Sequence, residues 1–322
     1  METELSKLTI APRDVFETFY DFPFVDDLDT LKADFAIIGM PYGDPYTVDE
    51  MINDQTNAPT AVRRASKRIS QAIDRYDFDI GGPLFAGKDV KVVDVGDIGA
   101  DAHDLGGHYK RAEQAIRKIL KAGAMPITIG GDHGIPIPIF RALDGEGPVT
   151  LIHLDAHMDW RHDVNGVTEG YSSTIRRASE MAHIDQIFQV GIRGQGSARA
   201  QEVADARAYG AHIITTDEWQ DIGTKELLSR IPDGGRYYLT IDADGFDPAV
   251  MPAVAGPQPG GVTYRQGIDL IKGLFAKGGK VLGVDIVEIT PARDINEISS
   301  ITAGHLIFNI IGAAVRSGQF RA

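Results

Sequence analysis

The chain contains no cysteine. This excludes a disulfide framework, thiolate metal ligation and a cysteine nucleophile, and it fits a reducing compartment. Any metal must therefore be held by histidine and carboxylate. Positive charge is also scarce: 32 Lys and Arg stand against 46 Asp and Glu, a formal net charge of −14. Such a balance repels phosphate backbones and anionic lipid surfaces, so neither nucleic acid nor a membrane is an expected partner. Long apolar runs are missing too. The most apolar stretch, Ile301 to Val315, is interrupted by His305 and Asn309 and is short for a bilayer span. Met1 to Asp14 places Glu2, Glu4, Lys7 and Arg13 among isolated apolar residues, unlike a secretory signal, and the expected location is the cytoplasm.

What the chain does have is enough apolar material for a large core. At 43% hydrophobic and 24% charged residues over 322 positions it is neither disordered, collagenous nor coiled coil. Short apolar runs recur at Phe35–Gly39, Val90–Val95, Ala124–Ile129, Val149–Leu154, Ile187–Val190, His212–Thr215, Tyr237–Ile241 and Val281–Val284. Consecutive apolar positions suit strands covered on both faces, and the intervals are long enough for crossover helices. Apolar residues at spacings of three and four predict helices over Pro59–Ile73, Tyr109–Lys121, Ser197–Tyr209, Tyr264–Phe275 and Ile298–Arg316. The pattern is α/β with a parallel sheet. No repeat or low-complexity linker divides it, and one domain is expected.

In open parallel sheets, sites form where loops leave the carboxyl ends of strands. Three polar clusters stand in that position. Gly130-Gly131-Asp132-His133 follows Ile127-Thr128-Ile129; Asp155-Ala156-His157-Met158-Asp159 follows Leu151-Ile152-His153-Leu154; Asp242-Ala243-Asp244-Gly245-Phe246-Asp247-Pro248 follows the run ending at Ile241. Residues two apart on an extended segment project to the same side, so Asp155, His157 and Asp159 can converge, as can Asp242 and Asp244. A lone Asp-x-Asp is usually a turn, and a lone histidine after a strand is usually structural. Three such clusters in order, each after a strand, point instead to a metal centre. Carboxylate and imidazole donors suit Mn²⁺, with Ni²⁺, Co²⁺ and Zn²⁺ as competitors, and four Asp with two His suffice for two ions.

With these motifs, and with Val287-Glu288-Ile289-Thr290-Pro291, the sequence resembles the ureohydrolase family of arginases and agmatinases from about Asp34 to the C-terminus. The resemblance implies a three-layer α/β/α fold with an eight-stranded parallel sheet, residues 34–322 forming a single catalytic domain and 1–33 an extension packed on it. It further implies a binuclear manganese centre, with nickel as the alternative. One ion would take His133, Asp155, Asp159 and Asp242, the other Asp155, His157, Asp242 and Asp244. Asp159 would also orient the shared hydroxide and pass its proton to the leaving nitrogen, and Glu288 would hydrogen-bond the guanidinium. Two metals sharing a water make hydroxide available near neutral pH to attack the guanidinium carbon, giving urea and an amine. Four carboxylates and one hydroxide against two divalent ions leave a net negative cluster, which favours a cationic substrate. Asp132 and Asp247 are expected to shape loops.

The match weakens at the entrance. The family's loop histidine after the second metal motif is missing from Glu169-Gly170-Tyr171-Ser172-Ser173; Tyr171 stands nearest its place, and His162 is the other candidate. The family's Arg-Pro-Gly-Ala segment is replaced by Tyr42-Gly43-Asp44-Pro45-Tyr46 and later Asn57-Ala58-Pro59, and Trp160, Tyr46 and Tyr171 are candidates to line the opening. L-arginine is disfavoured, since no polar loop for an amino-acid head group is found. A small guanidino compound of the agmatine or guanidino-acid kind is expected. The rival readings are a guanidine or biguanide hydrolase, which would suit nickel, a noncatalytic partner subunit of a heteromeric enzyme, and a single-metal deacetylase. The resemblance also implies a homo-oligomer, trimer or hexamer, with a hetero-oligomer as the alternative. The basic run Arg63-Arg64-Ala65-Ser66-Lys67-Arg68 is expected to be a solvated or subunit-facing helix surface.

Overall fold

The expected alternation of strands and helices is what the computed structural model contains; it describes residues 10–11, 17–101, 104–196 and 198–320. Strands β2 (Phe35–Gly39), β3 (Val92–Ile98), β4 (Met125–Ile129), β5 (Val149–Leu154), β6 (Ile184–Ile192), β7 (His212–Thr215), β8 (Arg236–Asp242) and β9 (Lys280–Val287) are parallel. A two-residue strand, β1 (Ile10–Ala11), pairs antiparallel with the outer side of β3, which the apolar runs gave no reason to expect. The order across the sheet is β1-β3-β2-β4-β9-β8-β5-β6-β7. The chain leaves β4, crosses two strand positions that β9 and β8 later fill, and enters at β5. The reversal of winding therefore lies in the middle of the sheet, between the loops that carry the three polar clusters.

Eight helices among the described residues cover the two faces. α1 (Ala58–Ser66), α6 (Thr216–Arg230), α7 (Tyr264–Phe275) and α8 (Ile298–Ser317) pack on one; α2 (Leu105–Lys121), α3 (Pro136–Ala142), α4 (Thr174–Ser179) and α5 (Ala200–Tyr209) pack on the other. Strand side chains alternate between the layers: Phe35 and Ile37 join the first core, Ala36 and Ile38 the second. This explains why the runs read as unbroken apolar segments. α7 begins with a reciprocal cap, Thr263 accepting from Gln266 N while the Gln266 side chain accepts from Thr263 N. Its Ile268, Ile271, Leu274 and Phe275 then bury one stripe.

Several boundaries move. β3, β6 and β9 run beyond their apolar runs, and α1 stops at Ser66 instead of Ile73; Ile69 and Ile73 pack on the core from a turn. Helix α5 starts at Ala200, and the expected start at Ser197 lies outside the described residues. The short helices α3 and α4 and the kinked α6 were not predicted, because α3 has two prolines and α6 a glycine at φ 78°. The segment 295–317, ending in α8, is by length and composition apolar enough to cross a membrane, more so than the stretch 301–315 suggested, but 78% of its apolar window is buried in the core. Most of residues 1–16 lie outside the described residues. Downstream, Phe19 is fully buried and meets Phe308 of α8 edge-on at 6.0 Å.

Arg64, Lys67 and Arg68 form the exposed surface expected of the basic run, but Arg63 does not. Arg63 is fully buried, with Nε 2.7 Å from Asp94 and Nη1 2.5 Å from Asp97 on β3. Arg64, by contrast, has a side chain 64% exposed. The helix turns one basic residue in four onto the sheet, because two aspartates there need a partner.

Candidate metal centre

His133 follows β4, Asp155, His157 and Asp159 follow β5, Asp242 and Asp244 close β8, and Glu288 follows β9. These four strands are neighbours in the order β4-β9-β8-β5, so all seven side chains start from one stretch of sheet edge. Two glycines let the loops close in. A Cβ on Gly131 would lie 1.6 Å from the Tyr42 carbonyl oxygen, and one on Gly245 would strike Leu154 and the Asp155 backbone. The first contact seats the entrance loop on the His133 loop; the second brings the β8 loop against Asp155.

The side chains form two linked groups. His133 Nδ1 lies 3.1 Å from Asp155 Oδ2, 3.1 Å from Asp159 Oδ2 and 3.0 Å from Asp242 Oδ2. His157 Nδ1 lies 3.1 Å from Asp244 Oδ2 and 3.5 Å from Asp155 Oδ1. Asp155 thus gives one oxygen to each group, as a carboxylate bridging two ions can, while Asp242 Oδ2 belongs to the His133 group. Two sets of donor atoms, one around His133 and one around His157, are each compact enough for a single ion.

Outer contacts hold these atoms in place. His133 Nε2 lies 3.0 Å from Thr240 Oγ1, which donates to Asp285 Oδ1 at 2.7 Å. With Nε2–H donated there, the Nδ1 lone pair faces the carboxylates. His153, not singled out from the sequence, lies 2.7 Å by Nε2 from Asp155 Oδ2 and orients that carboxylate. It is two residues before Asp155 on the same strand, and the spacing that paired Asp155 with His157 also covers it. Asp159 and Glu288 both have left-handed backbones, φ 46° and 66°. Such conformations cost a non-glycine residue about 1–2 kcal/mol. Ile175 N and Arg176 N donate to the Asp159 carbonyl, and Glu288 N donates to Gly131 O.

The electrostatics are those of a site short of cations. Burial raises Asp242 well above the usual carboxylate range, helped by Asp244 and Asp155, and burial with Asp155 holds Asp244 at about 6. Burial opposes protonation of the histidines, yet the nearby carboxylates of Asp155, Asp159 and Asp242 raise His133 well above its ordinary value, and Asp155 and Asp244 push His157 up to about 12. Burial, then Asp132, lifts Glu288 to about 8. His133 Nδ1 is buried and has no hydrogen-bond partner, although three carboxylate oxygens surround it. An aimed lone pair among crowded carboxylates fits divalent cations, and the all-oxygen and nitrogen donor set fits hard or borderline ions.

The groups open into a cavity of about 540 Å³. Trp160 and Tyr171 line it, as the sequence suggested. Tyr171 donates its hydroxyl to Glu50 Oε2 at 2.8 Å and packs on Tyr46 at 4.3 Å. Trp160 is 2% exposed. His162 is exposed and does not line the cavity, since the chain turns outward after Arg161. Asp132 accepts from Asp44 N and Gly134 N, and Asp247 from Ala249 N, Gly260 N and Gly261 N, which are loop-shaping bonds. No sequence signal marks Glu50, Gln55, Arg161 or Glu202, which also line the cavity from loops and a helix with no motif of their own.

Comparison with known proteins places this arrangement. Residues 33–312 match the profile described as the Arginase family. The chain is similar to the guanidinobutyrase of Pseudomonas aeruginosa, 30% identical over 292 residues, covering 88% of this chain and 87% of that protein. It is also similar to the guanidinopropionase of the same organism, 33% identical over 230 residues, covering 69% and 71%. Among solved structures, proclavaminate amidino hydrolase from Streptomyces clavuligerus superposes with a TM-score of 0.81 at 27% identity, covering 95% of this chain and all of that one.

Proposed function

The chain belongs to the arginase family, and from that premise we propose that it hydrolyses a small guanidino compound of the agmatine or ω-guanidino-acid kind at a binuclear manganese centre. It is a ureohydrolase, an enzyme that cleaves a guanidino C–N bond and releases urea. One observation carries the finer reading: all six ligand candidates converge in two groups that share Asp155, with Glu288 beside them in the same cavity. His133, Asp155, Asp159 and Asp242 would hold one ion, and Asp155, His157, Asp242 and Asp244 the other. When bound, the ions supply Lewis-acid activation of water. The relatives' names support a guanidino acid, and the acid-rich cavity supports a cation.

The chain's own residues would do the rest. Glu288, its oxygens fixed by His133 N and Gln55 Nε2, accepts N–H donors from the guanidinium and turns its carbon toward the ligand groups. Asp159 has one oxygen on the His133 side, and its other oxygen carries a proton to the departing nitrogen. Trp160 and Tyr171 wall the cavity and exclude water from the tail. The acidic surface and the absence of cysteine support a cytoplasmic protein, and the family supports a homo-oligomer, trimer or hexamer.

The test is urea release by protein reconstituted separately with Mn²⁺ and Ni²⁺ across agmatine, guanidinobutyrate, guanidinopropionate, arginine, guanidine and a biguanide. Turnover of agmatine or a guanidino acid with manganese is the expected result. Preference for guanidine or a biguanide with nickel would overturn both substrate and metal, and one ion per chain at full activity would overturn the binuclear centre.

A further inference from the structure

Glu288 is gripped from two directions. Its Oε1 accepts from the backbone N of His133 at 2.8 Å, and its Oε2 from the side-chain amide of Gln55 at 3.0 Å. Gln55 lies in a short turn, Gln55–Asn57, immediately before α1, so it reaches the site from the entrance loop instead of from the strand ends that carry the ligand candidates. Its side chain lines the cavity and is only 8% exposed.

The chemistry of that partner is informative. A lysine or arginine here would pair with Glu288 and cancel its charge. A primary amide fixes the carboxylate's orientation with a neutral donor and leaves the negative charge for a cation in the cavity. An amide is also two-sided. With Nε2 committed to Glu288, Oε1 remains an acceptor on the same plane, and Gln55 lines the cavity.

We propose that Gln55 is a substrate-positioning residue: its Nε2–H orients Glu288, and its Oε1 accepts an N–H of the bound cation alongside that carboxylate. The two acceptors together select a planar cation with N–H donors on one edge, the geometry of a guanidinium or amidinium group. The inference rests on the guanidino reading above, and the experiment separates the two.

The variants are Gln55→Met, which keeps bulk but has neither donor nor acceptor, Gln55→Glu, which keeps shape but cannot donate to a carboxylate when ionised, Glu288→Ala, and the Gln55→Met/Glu288→Ala double. On manganese-loaded protein, calorimetric binding of guanidinium chloride at matched ionic strength is measured beside urea-release kinetics, metal content and thermal midpoint. Gln55→Met and Gln55→Glu should each weaken guanidinium binding and raise KM about tenfold, the loss expected for a hydrogen bond to a charged group. The fall in kcat should be smaller, with metal and midpoint unchanged. In the Glu288→Ala background Gln55→Met should lose the part of its effect that comes from orienting the carboxylate and keep the smaller part that comes from the direct Oε1 contact. An unchanged affinity in both Gln55 variants, a full tenfold effect without Glu288, a loss of metal, or a wild type that does not bind guanidinium would each overturn the assignment. A wild type that binds guanidinium through Gln55 but releases urea from no compound would overturn the hydrolytic reading and leave this one standing.

Discussion

Two groups of buried aspartates belong to the same sheet, and the protein settles them in opposite ways. On β3, Asp94 accepts from Arg63 Nε and Nη2, Phe19 N and Gly96 N, while Asp97 takes Arg63 Nη1. One permanently charged guanidinium from α1 reaches both carboxylates within the chain. Across the β4-β9-β8-β5 edge, Asp155, Asp159, Asp242 and Asp244 are also buried but meet only imidazoles, those of His133, His153 and His157, which carry charge only when protonated, and one of them has an unpartnered Nδ1. Burying an unpaired carboxylate costs several kcal/mol, so the second group must take protons or metal ions from outside. The difference separates a structural ion cluster from a functional one without reference to any motif: the site is where the internal pairing stops short.

The strongest way to break this comparison is to remove the shared oxygen donor. Asp155→Ala should abolish both bound ions and reduce urea release by about 10⁴-fold or more, because Asp155 reaches both histidines. Metal analysis alongside the activity assay checks this, and two ions per chain in the variant would refute the bridging role. The converse substitution belongs to the closed group. Arg63→Ala strands two buried carboxylates and should cost about 3–5 kcal/mol in denaturant unfolding. Arg64→Ala, one residue away on the exposed face, should change stability by no more than about 0.5 kcal/mol. Equal effects at 63 and 64 would mean that Arg63 does not serve the aspartates as described.

A smaller effect is expected at the edge of the open group. Glu288→Gln keeps size but removes the charge and one of the two acceptor oxygens, so it should retain both ions while activity falls about 10- to 100-fold, the range for charge-assisted hydrogen bonds. Full activity on the natural substrate would show that the guanidinium contact lies elsewhere.

The open group was legible in the sequence because its members come from strand ends. Asp155, His157 and Asp159 lie just past β5, and Asp242 and Asp244 at the end of β8 and in the turn after it, so nearness to the strand ends marked them although the chain is not extended at Asp159 or Asp244. The parallel sheet was legible for a similar reason: runs such as Phe35–Gly39 are buried on both faces. Arg63 was misread because its fate depends on Asp94 and Asp97, some thirty residues away, and a run of basic residues carries no record of that pairing. Gln55 and Glu50 were missed on the same ground: they reach the cavity from a loop without periodicity, and their partners Glu288 and Tyr171 are 233 and 121 positions distant. Short helices such as α3 contain prolines and too few turns to show a pattern.

The gentlest test of the comparison is its pH dependence in chelator-treated protein. Burial raises Glu288 from its ordinary 4.5 to about 8 and Asp244 from 3.8 to about 6, while the carboxylates around His157 outweigh burial and raise it from 6.5 to about 12. A group whose pKa is higher in the folded than in the unfolded chain binds its proton more tightly when folded. Its stabilising contribution is therefore complete below the ordinary value and is lost as pH climbs to the folded one. All three shifts have that sign. Asp155 and His108 have the opposite sign: Asp155 loses its contribution only as pH falls below 3.8, while His108, lowered by burial from 6.5 to about 3, adds stability as pH rises to about 6.5. From pH 6.5 to 8 the chelated protein should therefore lose thermal stability, by on the order of a few degrees. Metal binding requires the same groups deprotonated, so the loaded protein should hold its midpoint or gain over that range. The gap between the two curves should widen toward pH 8. Parallel curves would mean that the crowded carboxylates are settled within the chain after all, as those around Arg63 are.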